Sequence, residues 1–454
     1  MLFVSLLTWV LVWSGSPLAV AMGATQTEVL KEAQAAFDRK EYERAIEVVE
    51  PLARDSSGPL DAGRLKVRSL VRLGRPTDAL TEYERVEAKL GQDDAPLLRE
   101  VAVGCITPLL KDMREQMRGA AYTALKELDS EEAVQYFEDG LSDGSGLVRA
   151  LAVEGLGRLK AGQRSARLRK AIEDPAALVR AAALKAIGRS GDRSAMALVE
   201  RSLHDEQPIV RVAASGALVM LGKSELWTDI GQAASAPNPE ERGAAVRMLG
   251  ELRDRRALQI LEKALLDSQP SVRGAAAASL GDLGLVEAVP ALVKTLNDPV
   301  PAVRAAAAVS LGEFHGSAST LALKKGLADP NPAVQAAVVS ALLHLGVPYS
   351  ETARVVRELT QNADPGIRAA AARALAGSRA EEVIEALRLL LEDPLPRPRI
   401  AAARALGRSG GGKQVAILKK TLRDQDEAVR ATAGGALGRV LFSTASRDNR
   451  LRKN

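Results

Sequence analysis

Aromatic residues are scarce in this chain. Phe, Trp and Tyr together make up 3% of its 454 residues, against 46% apolar residues in all. That shortage excludes one large core packed with rings and points to many thin layers filled by Ala, Val and Leu. Cysteine is almost absent: Cys105 is the only one. An intramolecular disulfide and a cysteine-based metal site are therefore excluded. Cys105 lies in an apolar stretch, residues 101–110, and is expected to be a buried, inert thiol. There are three histidines, His204, His315 and His344. None belongs to an HExxH or similar pair, so no metal and no cofactor is expected. No GxxxxGK[ST] is present, and no GxGxxG stands between a strand and a helix. Gly410-Gly411-Gly412-Lys413 follows the end of a helical repeat and reads as a helix-terminating turn.

Long apolar runs are missing as well, apart from the N-terminus. Residues 2–13 form a short apolar run, and Ala19-Val20-Ala21 fits a small-residue cleavage site. A signal peptide over residues 1–21, cleaved after Ala21, is expected, which places the mature protein in the periplasm or outside the cell. The alternative is an uncleaved anchor over residues 2–22, the only segment long enough to hold the chain in a membrane. No cysteine follows the run, so a lipoprotein is not supported.

What the chain has in abundance is repetition. Arg118, Arg149, Arg180, Arg211, Arg242, Arg273 and Arg304 follow one another every 31 residues; Gln335 takes the next slot, and Arg368, Arg399 and Arg430 continue the column. The step from Gln335 to Arg368 is 33. Six residues before an arginine slot stands an aspartate: Asp112, Asp143, Asp174, Asp205, Asp267, Asp298, Asp329, Asp393 and Asp424. After the aspartate comes an Ala-rich helix whose apolar residues fall at helical spacing, as in Val303, Ala306, Ala307, Ser310 and Leu311. A first helix, about residues 289–296, precedes it. Each unit is thus a helical hairpin that must be covered by its neighbours.

The aspartate at the turn and the planar, forked arginine form a structural ladder in this reading. Its rungs use Asp143, Arg149, Asp174, Arg180, Asp205, Arg211, Asp267, Arg273, Asp298, Arg304, Asp393, Arg399, Asp424 and Arg430. Arg304 with Asp298 is expected to tie one layer to the next. Two layers depart from the pattern. Ala236 stands where the aspartate of Arg242 should be, with Glu241 in a slot otherwise apolar. Around Gln335 the arginine is lost, and Asp364 lies four residues before Arg368. Weaker contacts are expected at both.

A different period governs residues 25–90. Ala45 and Ala79 are 34 residues apart, and Lys40 and Gly74 each precede them by five, where paired helices should turn. This region resembles tetratricopeptide repeats, with about two units. The 31-residue units, over residues 96–442, resemble HEAT repeats, with the aspartate, the arginine six later, and Pro290 at the usual first-helix proline. The Ala-rich form is most similar to the HEAT-like repeats named after phycobilisome lyases. The resemblance implies an all-α fold, an α-solenoid built as a superhelical stack of about eleven hairpins. Such a stack would extend for about 100 Å. A polar, basic tail, residues 443–454, is expected to be disordered.

The resemblance also implies a role. Arrays of this kind bind proteins along a surface, so a non-enzymatic scaffold or adaptor is the leading reading. A bilin-lyase-like enzyme is the alternative. The deoxyhypusine hydroxylases, another HEAT-like family, bind di-iron through His-Glu pairs. Here His204, His315 and His344 are followed by Asp205, Gly316 and Leu345, which disfavours that activity.

Charge is distributed unevenly. Residues 395–454 hold fourteen Lys and Arg against four Asp and Glu, a net of +10, within a chain of net +5. Five and nine residues past the arginine slot lie two columns expected on the exposed side. The first includes Glu154, Lys185, Arg247, Arg373 and Arg404. The second includes Arg158, Arg189, Met220, Glu251, Asp282, Glu313, His344, Arg408 and Arg439. Along the chain this face reads basic, acidic, basic. The expected partner is a protein with an acidic segment engaging Arg373, Arg404, Arg408 and Arg439. Nucleic acid is disfavoured, because the face is acidic in mid-array and Trp227 is the repeat region's only tryptophan.

Overall fold

The computed structural model of the chain describes residues 25–451, with side chains through residue 442. The expected signal peptide lies outside the described residues. Every described element is a helix or a 3-10 turn, and no described helix is long and apolar enough to cross a membrane. The chain divides into two compact units at Val101.

The first unit holds two helical hairpins. Helix α1 (Gln26–Asp38) pairs with α2 (Tyr42–Arg54), and α3 (Leu60–Arg72) pairs with α4 (Pro76–Leu90). Lys40 and Gly74 both take positive φ, 64° and 69°, at the hairpin turns. Ala45 and Ala79 are fully buried, which lets the paired helices approach closely. A buried Lys66 bridges Glu50 and Glu82 at 2.7 and 2.9 Å.

The second unit is a stack of hairpins. Its second helices, in chain order as layers 1 to 11, are Glu115–Leu128, Gly146–Arg158, Ala177–Ser190, Pro208–Leu221, Pro239–Leu252, Pro270–Leu283, Pro301–Leu311, Pro332–His344, Pro365–Ala374, Pro396–Ser409 and Glu427–Leu451. The sequence explains their starts: proline stands at the first turn of seven of them, where its missing N–H costs nothing. The last helix runs on to Leu451. No glycine or proline occurs after Gly438 to end it.

Each second helix packs mainly on the second helices of the adjoining layers, while the first helices of the hairpins touch one another far less. The second helices therefore form the tighter, inner course. Small residues make this course possible. A Cβ on Gly157 would sit 2.6 Å from Ala186 of the next layer, and one on Gly407 would sit 2.6 Å from Ala436.

The stack does not remain open. The second helix of layer 11 packs along that of layer 1 as extensively as neighbouring layers pack on each other. Ala431 belongs to the same apolar core as Ile106, Leu125 and Leu128. Gly434 and Gly435 bring the helices together: a Cβ on either would lie 2.3 Å from a main-chain oxygen, of Ala102 and Ala124 respectively. Arg114 locks the seam, donating to Asp112 at 2.7 Å and to Glu427 at 2.6 Å. The expected extended array is thus a closed ring of eleven layers. Closure requires about 33° of turn per layer, a small rotation that no single repeat reveals.

Candidate functional site: the inner wall of the ring

The ladder is the ring's main polar frame, and its register differs from the one expected. Arg273, not Arg304, grips the Asp298 carboxylate, through Nε at 2.7 Å and Nη2 at 3.0 Å. Arg304 reaches forward to Asp329 in the same way, at 2.8 and 2.9 Å, and touches Asp298 only through its main-chain oxygen, at 2.9 Å. The forward grip repeats in Arg118–Asp143, Arg149–Asp174, Arg180–Asp205, Arg242–Asp267, Arg368–Asp393 and Arg399–Asp424, with distances of 2.6–2.9 Å. Each arginine thus holds its own turn by a carbonyl and the next turn by a carboxylate. The carboxylates also accept an N–H two residues on, as Asp298 does from Val300 at 2.8 Å. The Arg273 guanidinium beside Asp298 holds that carboxyl below its usual range, and Arg242 and Arg368 do the same to Asp267 and Asp393.

The two irregular layers break the ladder in different ways. Arg242 keeps its grip on Asp267; the rung lost to Ala236 is the one from Arg211. Glu241 offers Arg211 a carboxylate at 3.7 Å instead, so the two substitutions offset each other. Gln335 keeps only the bond to the Asp329 carbonyl, at 2.9 Å. Asp364 caps its helix by accepting from the Gly366 N–H at 2.7 Å, and the ladder slot itself is Asn362, whose carbonyl takes Arg368 at 2.8 Å. At the seam, Arg430 holds the Asp424 carbonyl at 2.8 Å. Asp112 is held by Arg114, which brings its carboxyl down to about 2.

The geometry of the second helix fixes what faces the ring's centre. Residues eight past the arginine slot, such as Gly157, face the next layer. Residues seven past it, such as Leu156, Ile187 and Leu280, are buried against the first helices. The remaining face carries positions two before, two after, five after and nine after the slot, which share one side of a helix. Ion pairs that skip a layer place this face on the concave side, where side chains converge. Lys185 of layer 3 meets Glu251 of layer 5 at 2.6 Å, and Arg404 of layer 10 meets Glu127 of layer 1 at 3.4 Å. In both cases the skipped helix has glycine, Gly216 or Gly435, at the level the long side chain must cross.

Arg373, Arg404, Arg408 and Arg439, the residues expected to bind a partner, all lie on this inner wall. Three of them are not free. Arg404, Arg408 and Arg439 surround one carboxylate, Glu127, at 3.4, 2.9 and 3.7 Å. Arg404, expected in an exposed column, has a side chain only 28% exposed, because closure brings layer 1 over it. Burial pushes the guanidinium of Arg404 down; Glu127 opposes that and Arg408 adds to it. Burial, then Arg397 and Arg404, push Arg373 down as well.

Closure also rearranges the charge pattern. The basic–acidic–basic order along the chain becomes two sectors. The basic ends merge across the seam into one sector running from layer 9 through layer 11 and layer 1 to layer 3, ending at Arg158 and Arg189. The acidic sector, Glu251, Asp282 and Glu313 on layers 5 to 7, stands opposite, with the exposed Arg247 one turn from Glu251 on the same face. Burial raises the Asp282 carboxyl; Arg253 opposes this, and Glu251 and Glu313 reinforce it.

The other candidates fall away from the wall or are already engaged. Cys105 is buried, and burial pushes its thiol up to about 12. His344 lies 4.0 Å from Glu313, and the three histidines sit in different layers. Gly410 and Gly411 end the layer-10 helix with φ of 63° and 121°. Trp227 is covered by Arg256, 4.4 Å from the ring centroid. The sequence reading missed Glu127 and Arg114, because their roles exist only once the ends meet. The adjacent glycines Gly434 and Gly435, four and five residues past the arginine slot where no other layer has two glycines, were the available signal.

The repeated hairpin with its aspartate-to-arginine ladder has a match. The sequence profile described as HEAT repeats matches six stretches, residues 105–177, 165–226, 228–312, 289–361, 320–397 and 352–438. The chain belongs to the HEAT repeat family. No curated protein matches it. Among solved structures, this HEAT protein is similar to human deoxyhypusine hydroxylase in complex with glycerol: 22% identity over 56% of this chain and 99% of that one, TM-score 0.31. It is similar to the complex of CpcE and CpcF of phycocyanin lyase from Nostoc sp. PCC7120: 19% identity, 55% and 94% covered, TM-score 0.36. It is also similar to YibA of Escherichia coli: 15% identity, 65% and 97% covered, TM-score 0.36.

Proposed function

We propose that this HEAT ring is an exported, non-enzymatic scaffold that holds an acidic segment of a protein partner against the merged basic sector of its inner wall. One observation carries the reading. Among the described residues, Arg373, Arg397, Arg404, Arg408 and Arg439 share their part of the wall with a single acidic partner, Glu127. Such an excess of one sign attracts an oppositely charged segment and speeds its encounter. The export element rests on residues 1–21, the expected signal peptide.

Arg404 and Arg408 are poor residues for the test, because reversing them attacks the Glu127 hub. Arg373 and Arg189 are exposed and stand outside it. A partner recovered by mild crosslinking should associate more slowly with the double variant Arg189→Glu, Arg373→Glu, and more slowly at high salt. An on-rate indifferent to salt and to both reversals would remove the basic sector as the docking site. A tetrapyrrole absorbance band in the purified protein would favour a lyase-like role instead.

A further inference from the structure

We infer that the partner segment is an amphipathic helix, with one acidic flank and one apolar stripe, seated at the seam of the ring. The inference rests on the proposed basic docking sector and adds the apolar half of the site. Charge alone does not account for the wall beside the seam. Leu147 and Leu178, two residues before the arginine slot in layers 2 and 3, are 54% and 50% exposed on the concave face. Leu151 lies one turn below Leu147, and Ile209 continues the row in layer 4; both are partly buried. Exposed leucines in adjacent layers of one wall form a patch, which isolated surface leucines do not.

Two features of the closed ring assign the occupant. First, closure puts this patch next to the basic sector. Layers 10 and 11 precede layer 1, layers 2 to 4 follow it, and Arg158 and Arg189 lie on the same helices as Leu147, Leu151 and Leu178, nearer their C-terminal ends. Apolar and basic surfaces from opposite ends of the chain thus become one site. Second, eleven helices spaced by about 9 Å enclose an opening of roughly 20 Å once the inner half of each helix is subtracted. A single helix, about 10–12 Å across with its side chains, fits that opening. An extended acidic strand would leave the leucines wet. A helix presents leucines at i, i+3 and i+4 to layers 2 to 4 and carboxylates to the arginines. The acidic sector on layers 5 to 7 repels the acidic flank and so fixes the helix's rotation.

The test uses the full chain and three fluorescent synthetic peptides of about 18 residues. One has a leucine stripe flanked by glutamates at helical spacing. The second has the same composition scrambled to destroy the stripe. The third replaces every glutamate by lysine. Binding is read by anisotropy at low and high salt. The striped acidic peptide should bind at least tenfold more tightly than the scrambled one and far more tightly than the lysine one. Leu147→Gln with Leu178→Gln should abolish the tenfold advantage and leave the scrambled peptide's affinity unchanged. Circular dichroism should show that these exposed substitutions leave the fold intact. Equal binding of striped and scrambled acidic peptides would overturn the helix inference while the basic sector stands. Equal binding of the lysine peptide, or no salt-sensitive binding at all, would overturn both.

Discussion

Arg304→Ala tests the forward register of the ladder. The wild-type guanidinium donates two charge-assisted bonds to Asp329, at 2.8 and 2.9 Å, and one to the Asp298 carbonyl at 2.9 Å. The side chains of Arg304 and Asp329 are 12% and 9% exposed. Removing one member of a buried ion pair costs about 3–5 kcal/mol, because the survivor is left charged. Asp329 is not wholly abandoned, since it still accepts the Asn331 N–H at 2.8 Å. The expected loss is therefore about 2–4 kcal/mol. Arg211→Ala is the internal control. Arg211 holds the Asp205 carbonyl at 2.8 Å but has Ala236 ahead of it and only the looser Glu241 at 3.7 Å. Its loss should cost about 1 kcal/mol. Urea denaturation followed by circular dichroism would measure both. Equal losses would refute the forward carboxylate grip as the rung that binds layer to layer.

Three further outcomes follow from the seam and the ladder. Gly435→Ala places a Cβ where a main-chain oxygen stands 2.3 Å away, so the ring should lose about 1–3 kcal/mol by overpacking; an unchanged urea midpoint would mean that the seam has slack. Glu127→Gln strips from three arginines the carboxylate they share and should cost about 1–3 kcal/mol, with part of the loss recovered at high salt; a salt-independent loss would assign Glu127 a packing role. Asp267, Asp298 and Asp393 have carboxyls depressed in the folded state, so their contribution is complete above the unfolded value of about 3.9 and disappears as pH falls through the lower folded values. Stability should fall as pH drops below about 4, and a decline already complete by pH 5 would contradict this.

The repeat made most of the second unit legible. Proline starts, the 31-residue arginine column and the Ala-rich stripes act locally, so each layer could be read from its own residues. The pairing Arg304–Asp298 was misread because spacing alone does not say whether an arginine reaches back or forward. The structure shows that it does both, with different atoms. Ring closure was not legible for a different reason. It is the sum of eleven small rotations, each set by packing between layers. The candidate site inherits that limit. The inner-wall columns were identifiable by helical spacing, but their merger into one basic sector, the hub at Glu127 and the leucine patch beside the arginines depend on residues some 300 positions apart meeting at the seam.

A distance across the seam tests directly whether the HEAT array closes into a ring. Met113 and Gln425 occupy the same turn position in layers 1 and 11, each one residue past the ladder aspartate, and both are exposed. Cys105, the native cysteine, is buried, so cysteines placed at these two positions would be the reactive pair. A bifunctional thiol reagent spanning about 10–15 Å should link them within one folded chain, since adjacent helices lie about 8–10 Å apart. In an open array of eleven layers the same positions would stand on the order of 100 Å apart. Failure to form the intramolecular link, in a protein that remains fully helical, would contradict the ring.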